Sequence, residues 1–138
     1  HAGERGRALL AVAGRLRLEL AQFRELQAFV QFSSDLDEAT RKRITRGQLL
    51  TQLLLQGELE PLPFEKQVVL LYAGINGYFD EIGAENARKI GQDFVEYIEK
   101  VHEDSVLKPI RESGELTPEI EEKLKASIQD FLKIRSTR

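Results

Sequence analysis

Apolar side chains return every three or four positions along most of this chain, and strict alternation never runs over a useful length, so the pattern predicts helices. From residue 9 to 30, Leu9, Val12, Leu16, Leu20, Phe23, Leu26 and Val30 fall on one helical stripe, with Arg15, Arg17, Glu19, Arg24 and Glu25 mostly off it. A second helix is expected to start within residues 34–37. Ser34 or Asp35 fits its N-cap, with Asp37 or Glu38 three residues on in the reciprocal position. Leu36, Ala39, Ile44, Leu50 and Leu54 continue its stripe until Gly57, Pro61 and Pro63 stop it. Gly47 lies inside this run, where glycine costs about 1 kcal/mol relative to alanine, and predicts either a break or a close helix crossing.

Pro63 suits the first position of a third helix, where its missing N–H is no loss. Phe64, Val68, Leu71, Tyr72 and Ile75 form its stripe, Gly74 and Gly77 mark its end, and residues 78–83 read as a short ordered connection. A fourth helix over 84–102 points Ala87, Ile90, Phe94, Ile98 and Val101 inward. A short helix over 105–112, bent or begun near Pro109, closes at Gly114. Thr117-Pro118 then opens a last helix that buries Ile120, Leu124, Ile128 and Phe131. The predicted fold class is all-α, an array of about five to six helices.

With 138 residues the chain fits one domain with a proper core, and 41% hydrophobic with 31% charged residues describes a globular composition. No apolar run approaches the roughly 20 residues that cross a bilayer. A net charge of −3 does not mark a nucleic-acid or lipid binder. The absence of cysteine removes disulfides, thiolate metal sites and a thiol nucleophile together, and agrees with a reducing compartment. The chain opens at His1 without methionine or a signal-like stretch, so it reads as a piece of something longer, with 1–9 a remnant of processing or addition and 10–138 the domain proper.

Candidate chemistry is sparse. No phosphate-loop glycine pattern occurs, and Gly74-Ile75-Asn76-Gly77 follows a helix, where it forms a turn. Glu99 and His102 match half of a di-iron ligand motif, which needs a second such pair and further glutamates; a surface pair at a helix end accounts for them better. Arg41, Lys42, Arg43 and Arg46 form one basic cluster, either a solvated face paired at i, i+4 spacing or a protein-contact patch. Asp35 and Asp37 lack the partners of an acid–base pair, leaving capping or an acidic docking surface. Ser33 and Ser34 have no histidine base nearby in sequence.

Several stretches carry a resemblance. Leu18-Glu19-Leu20-Ala21-Gln22-Phe23-Arg24 within residues 12–26, then Ala28-Phe29-Val30-Gln31-Phe32-Ser33-Ser34-Asp35-Leu36-Asp37, Arg46-Gly47, Glu65-Lys66-Gln67-Val68-Val69 and Tyr72-Ala73-Gly74-Ile75-Asn76-Gly77-Tyr78-Phe79-Asp80 resemble, in order and spacing, the C-terminal domain of the α subunit of F-type, proton-translocating ATP synthases. The resemblance is dense to Asp80 and weaker beyond. It implies a helical domain in a ring where α alternates with β around a central γ shaft, so β and γ are the expected partners, without nucleic acid and without direct membrane insertion. The nucleotide core, which would hold ATP or ADP with magnesium, comes earlier in such subunits, so no cofactor and no enzymatic activity is expected of this stretch by itself. The motif of the catalytic arginine also lies upstream, and no catalytic residue is transferred.

By the same resemblance Phe32, Ser33, Ser34, Asp35, Leu36 and Asp37 match the corner that faces the γ shaft. Gln56 matches one of two glutamines near the adenine of the non-catalytic nucleotide; the second position holds Glu58, which when ionised accepts but cannot donate. Ser33 stands where glycine is frequent, and residues 41–43 are more basic than usual. The implied location is the cytoplasmic face of a bacterial inner membrane, or the matrix or stromal equivalent, as part of a peripheral complex, and the isolated stretch is expected to self-associate through faces meant for β. A free-standing helical adaptor and a metal-dependent helical hydrolase using His102 are the rival readings.

Overall fold

The computed structural model describes residues 2–30 and 36–136, with side chains from residue 7 onward. Among these residues there are six α-helices and no strand. They are α1 (Ala2–Val30), α2 (Glu38–Leu59), α3 (Phe64–Ile75), α4 (Ala87–Val101), α5 (Lys108–Ser113) and α6 (Pro118–Ser136). The all-α expectation holds, and no helix is long and apolar enough to cross a membrane among the described residues.

Helix α3 is the hub. Beyond its first turn it is an unbroken run from Val68 to Ile75 with no charged side chain, and a helix apolar all round has to be covered all round. Helices α1, α2, α4 and α5 pack against it, and none of its residues is exposed. The stripe predicted for α1 does the packing on one side, with Val12, Leu16 and Phe23 buried and Leu9, Leu20, Leu26 and Val30 half-buried. On the opposite side Ala87, Ile90, Phe94 and Ile98 of α4 and Ile120, Leu124, Ile128 and Phe131 of α6 close the core. Phe94 sits at its aromatic centre, edge-on to Phe79 at 5.5 Å and to Phe131 at 5.3 Å between ring centroids. Such edge-to-face pairs add stability beyond the area they bury.

Local expectations hold with specific shifts. Thr117 caps α6 by accepting from the Ile120 amide at 3.2 Å, and Gly114 ends α5 in the left-handed region, φ 68°. Pro63 stands one place earlier than expected, as the N-cap of α3, its carbonyl accepting from the amides of Lys66 and Gln67. Residues 84–86 form a 3₁₀ turn ahead of α4. Before α5 the backbone widens into a π-type turn over Glu103–Leu107, and the His102 carbonyl accepts from both Val106 and Leu107.

Two inward expectations fail. Val101 is 57% exposed, because α4 ends there, past the edge of the core. Along α2, Ala39 is exposed and Leu54 half-buried, while Leu49 and Leu53 join Leu50 in the core. Gly47 explains this setting of α2. The helix runs through it unbroken, and a methyl group there would run into the Phe23 ring of α1. Glycine is thus the crossing point of two helices, and the crossing fixes which face of α2 meets α3 and α4.

Candidate functional site

Two places carry the residues singled out in the sequence: the corner between α1 and α2, and a groove at the far end of α2. At the corner, Phe32, Ser33, Ser34 and Asp35 lie outside the described residues. Asp37 is the N-cap of α2, its Oδ1 accepting from the Thr40 amide at 2.7 Å. That hydrogen bond, with a smaller contribution from Arg41, holds the carboxyl below its ordinary pKa, so the cap stays ionised at neutral pH. The helix start is therefore set by Asp37 with Thr40 three residues on, not by the earlier capping register. Leu36 is half-buried beside it.

Behind this cap α2 is tied to the rest of the molecule. Arg46 reaches the turn after α3, where its Nε donates to Asp80 Oδ1 at 3.2 Å and its Nη2 to Asp80 Oδ2 at 2.7 Å. Both side chains are mostly shielded, and the bond to Asp80 raises the Arg46 pKa against the opposing effect of burial. Gly77, at φ 84°, lets the turn pass close to the guanidinium, since a Cβ there would stand 2.6 Å from Arg46 Nη2. Arg15 of α1 donates to Asn76 Oδ1 at 3.1 Å in the same turn. The basic cluster is thus divided among jobs. Arg46 turns inward, Arg43 donates to Gln22 of α1, and Lys42 lies 4.0 Å from Glu38 in an i, i+4 pair.

Gln56 lines a groove of about 350 Å³ between the end of α2, the start of α3 and α4. Its floor is apolar, with Leu53, Leu70, Ala87, Gly91 and Val95, and its rim carries two ion pairs. Arg88 meets Glu60 at 3.0 Å, and Lys66 meets Glu99 at 3.1 Å. Glu58 is exposed and does not line the groove. Two residues apart on an unbroken helix, Gln56 and Glu58 point to different sides, so this chain does not bring them to one surface.

The remaining candidates have structural partners. The turn after α3 uses Gly77 for its positive φ, as the Gly74–Gly77 spacing suggested. Glu99 is engaged by Lys66, and the His102 ring lies 3.3 Å from both Tyr97 Oη and Ser105 Oγ. No group of three histidine, aspartate or glutamate side chains suited to a metal occurs among the described residues. Sequence patterns gave no sign of the buried Glu65, which accepts from Arg111 at 3.2 Å while Arg111 also donates to Glu103 at 2.6 Å. Nor did they show Tyr72, whose hydroxyl donates to Glu121 at 2.6 Å. The only available hint was a glutamate in the first turn of a helix that is apolar beyond that turn.

Comparison with known proteins agrees with this architecture. Residues 6–131 match the family model described as "ATP synthase alpha/beta chain, C terminal domain". The ATP synthase subunit alpha of Aquifex aeolicus is 49% identical over 125 residues, 91% of this chain and 25% of that protein. The subunit alpha of Desulforudis audaxviator is 45% identical over 124 residues, 90% of this chain and 24% of that protein. This chain spans about a quarter of the length of these curated relatives. It belongs to the family of ATP synthase alpha/beta C-terminal domains, on the alpha-subunit side of it.

Proposed function

We propose that this chain is a rigid coupling module of a rotary, proton-translocating ATP synthase. In this reading it packs beside β subunits and presents the corner at residues 32–37 to the γ shaft. The nucleotide core, with ATP or ADP and magnesium, lies elsewhere in the subunit, so the domain carries motion and catalyses nothing itself. Gln56, on the rim of the groove, is the residue we assign to the adenine of the non-catalytic nucleotide, with Glu58 contributing little because it faces away. The complex sits peripherally at the membrane, on the cytoplasmic face or its organellar equivalent.

The observation that carries the reading is how the start of α2 is anchored. Asp37 fixes the first turn through Thr40, Arg46 grips Asp80, and Gly47 seats against Phe23. A force applied at the corner passes within three turns of helix to α1 and to the turn after α3. Interiors packed at crystal-like density transmit such strain as bodies.

The test is charge reversal at Asp35 and Asp37 in the complete subunit within its assembled complex, with ATP hydrolysis and ATP-driven proton pumping measured together. Pumping per ATP is expected to fall at least twofold while nucleotide binding is kept. Asp37→Asn separates capping from charge, since asparagine also caps; a charge contact with the shaft predicts a loss with Asn as well, on a smaller scale. Unchanged pumping per ATP in the double reversal overturns the proposal.

A further inference from the structure

An asparagine followed by glycine loses its side-chain amide more readily than before any other residue, because glycine has no Cβ to hinder attack by its own backbone nitrogen. The chain has two asparagines, Asn76 before Gly77 and Asn86 before Ala87. The reaction needs no reagent but water. The Gly77 nitrogen bonds to Asn76 Cγ, the Cγ–Nδ2 bond breaks, and ammonia leaves with the proton of the Gly77 nitrogen. Water then opens the cyclic imide at one carbonyl or the other, giving aspartate or isoaspartate.

The fold gives Asn76 the water and withholds the geometry. Asn76 is exposed, at the C-cap of α3, and its ψ of 10° turns the Gly77 nitrogen toward the Asn76 backbone nitrogen, away from the side chain it would attack. Nδ2 is held by donating to the Tyr72 carbonyl at 2.8 Å, and Oδ1 by accepting from Arg15 at 3.1 Å. The peptide itself is restrained. The Gly77 amide donates to the Gly74 carbonyl at 3.3 Å, and the Arg46 guanidinium lies against Gly77 while it grips Asp80. We propose that Asn76-Gly77 is a site of spontaneous deamidation, kept silent by the folded turn and opened when the Arg46–Asp80 grip lets go. Local openings of this kind are the route by which a folded chain exposes such chemistry. The product closes less well than the parent. Its carboxylate cannot donate to the Tyr72 carbonyl and stands at the negative end of the α3 dipole, and the isoaspartate form adds a methylene to the main chain of the turn. Nothing in this depends on the coupling role proposed above.

Peptide mapping by mass spectrometry, on protein held for days in mildly alkaline buffer, tests this. Asn86 is the internal control: its ψ is 7° and its Nδ2 donates to the Ile82 carbonyl at 3.0 Å, much as at Asn76, but alanine follows it. Folded protein is expected to lose amide slowly and to a similar extent at both sites. In unfolding urea the loss at Asn76 should exceed that at Asn86 at least tenfold, and a loss at Asn76 that is the same folded and unfolded overturns the silencing. Arg46→Ala and Asp80→Ala remove the grip from its two sides. Each, shown to be folded by circular dichroism, is expected to raise the loss at Asn76 at least threefold with Asn86 unchanged; an unchanged loss at Asn76 overturns the gate. Asn76→Asp reproduces one product and is expected to lower the melting temperature by several degrees, and unchanged melting overturns the claim that the modified turn closes less well.

Discussion

Helices α1 and α3 are both rich in apolar residues, and they end in opposite circumstances. All twelve residues of α3 are buried or half-buried, whereas α1 runs 29 residues with one stripe in the core and a second facing outward. The difference lies in position along the fold. Four helices, α1, α2, α4 and α5, close around the short helix. The long helix meets α2, α3 and α5 along one stripe and, among the described residues, leaves Leu10, Leu18 and Phe29 exposed. Hydrophobicity thus says what has to be covered, and topology says whether this chain can cover it.

The comparison is broken or sharpened most strongly by truncation. Ile75→Ala in α3 should destabilise the chain by about 2–5 kcal/mol, from lost burial and the cavity left, because Ile75 is 1% exposed. Leu18→Ala on the outer face of α1 should stay within about 0.5 kcal/mol. Urea unfolding of the two variants checks both. Similar losses would mean that the outer stripe of α1 is already packed within the chain.

A glycine in α1 and one in the α2 helix that crosses it give the next largest contrast. Gly47→Ala drives a methyl into Phe23 and should cost about 1–3 kcal/mol. Gly14→Ala meets open space and should gain about 0.5–1 kcal/mol from helix propensity. Opposite signs in thermal melts support the crossing geometry; a neutral Gly47→Ala would remove it.

A smaller effect concerns how α3 is held to α6. Burial, and next the hydrogen bond to Glu121, push the Tyr72 phenol well above its usual pKa. A folded-state pKa raised above the unfolded value means stability present below the unfolded value and lost as pH rises past it. For tyrosine that decline begins near pH ~10. Tyr72→Phe should lower stability by about 1 kcal/mol at neutral pH and flatten the fall in melting temperature above pH ~10. Tyr97, also raised by burial, keeps part of the slope. An unchanged slope in the variant would assign the alkaline transition to other groups.

Much of this architecture was legible from local rules. The core stripes of α4 and α6, the Thr117 cap, the stop at Gly114 and the turn at Gly77 follow from periodicity and from the few residues that cap or reverse a backbone. The resemblance is what singled out the corner and Gln56 as candidates, because family motifs record which stretches recur. Local rules failed where a residue's role depends on something distant in sequence. Gly47 read equally as a break or a crossing until Phe23 appeared against it. Gln56 and Glu58 read as a pair until the helix was seen to run through both. Val101 had the right spacing to face inward, and α4 ended before there was a core to face.

The sequence by itself determined an all-α domain, the approximate bounds of its helices and the family to which they belong, since each depends on spacing over a few residues or on matched motifs. Only the tertiary structure decided that α3 would be enclosed, that Arg46 would leave its basic neighbours for Asp80 34 positions away, and that Tyr72 would reach Glu121 49 positions away. The physical reason is that hydrogen-bond geometry and periodicity act along the backbone. The burial of a face, or the pairing of a charge, is set by whichever helix the fold lays across it.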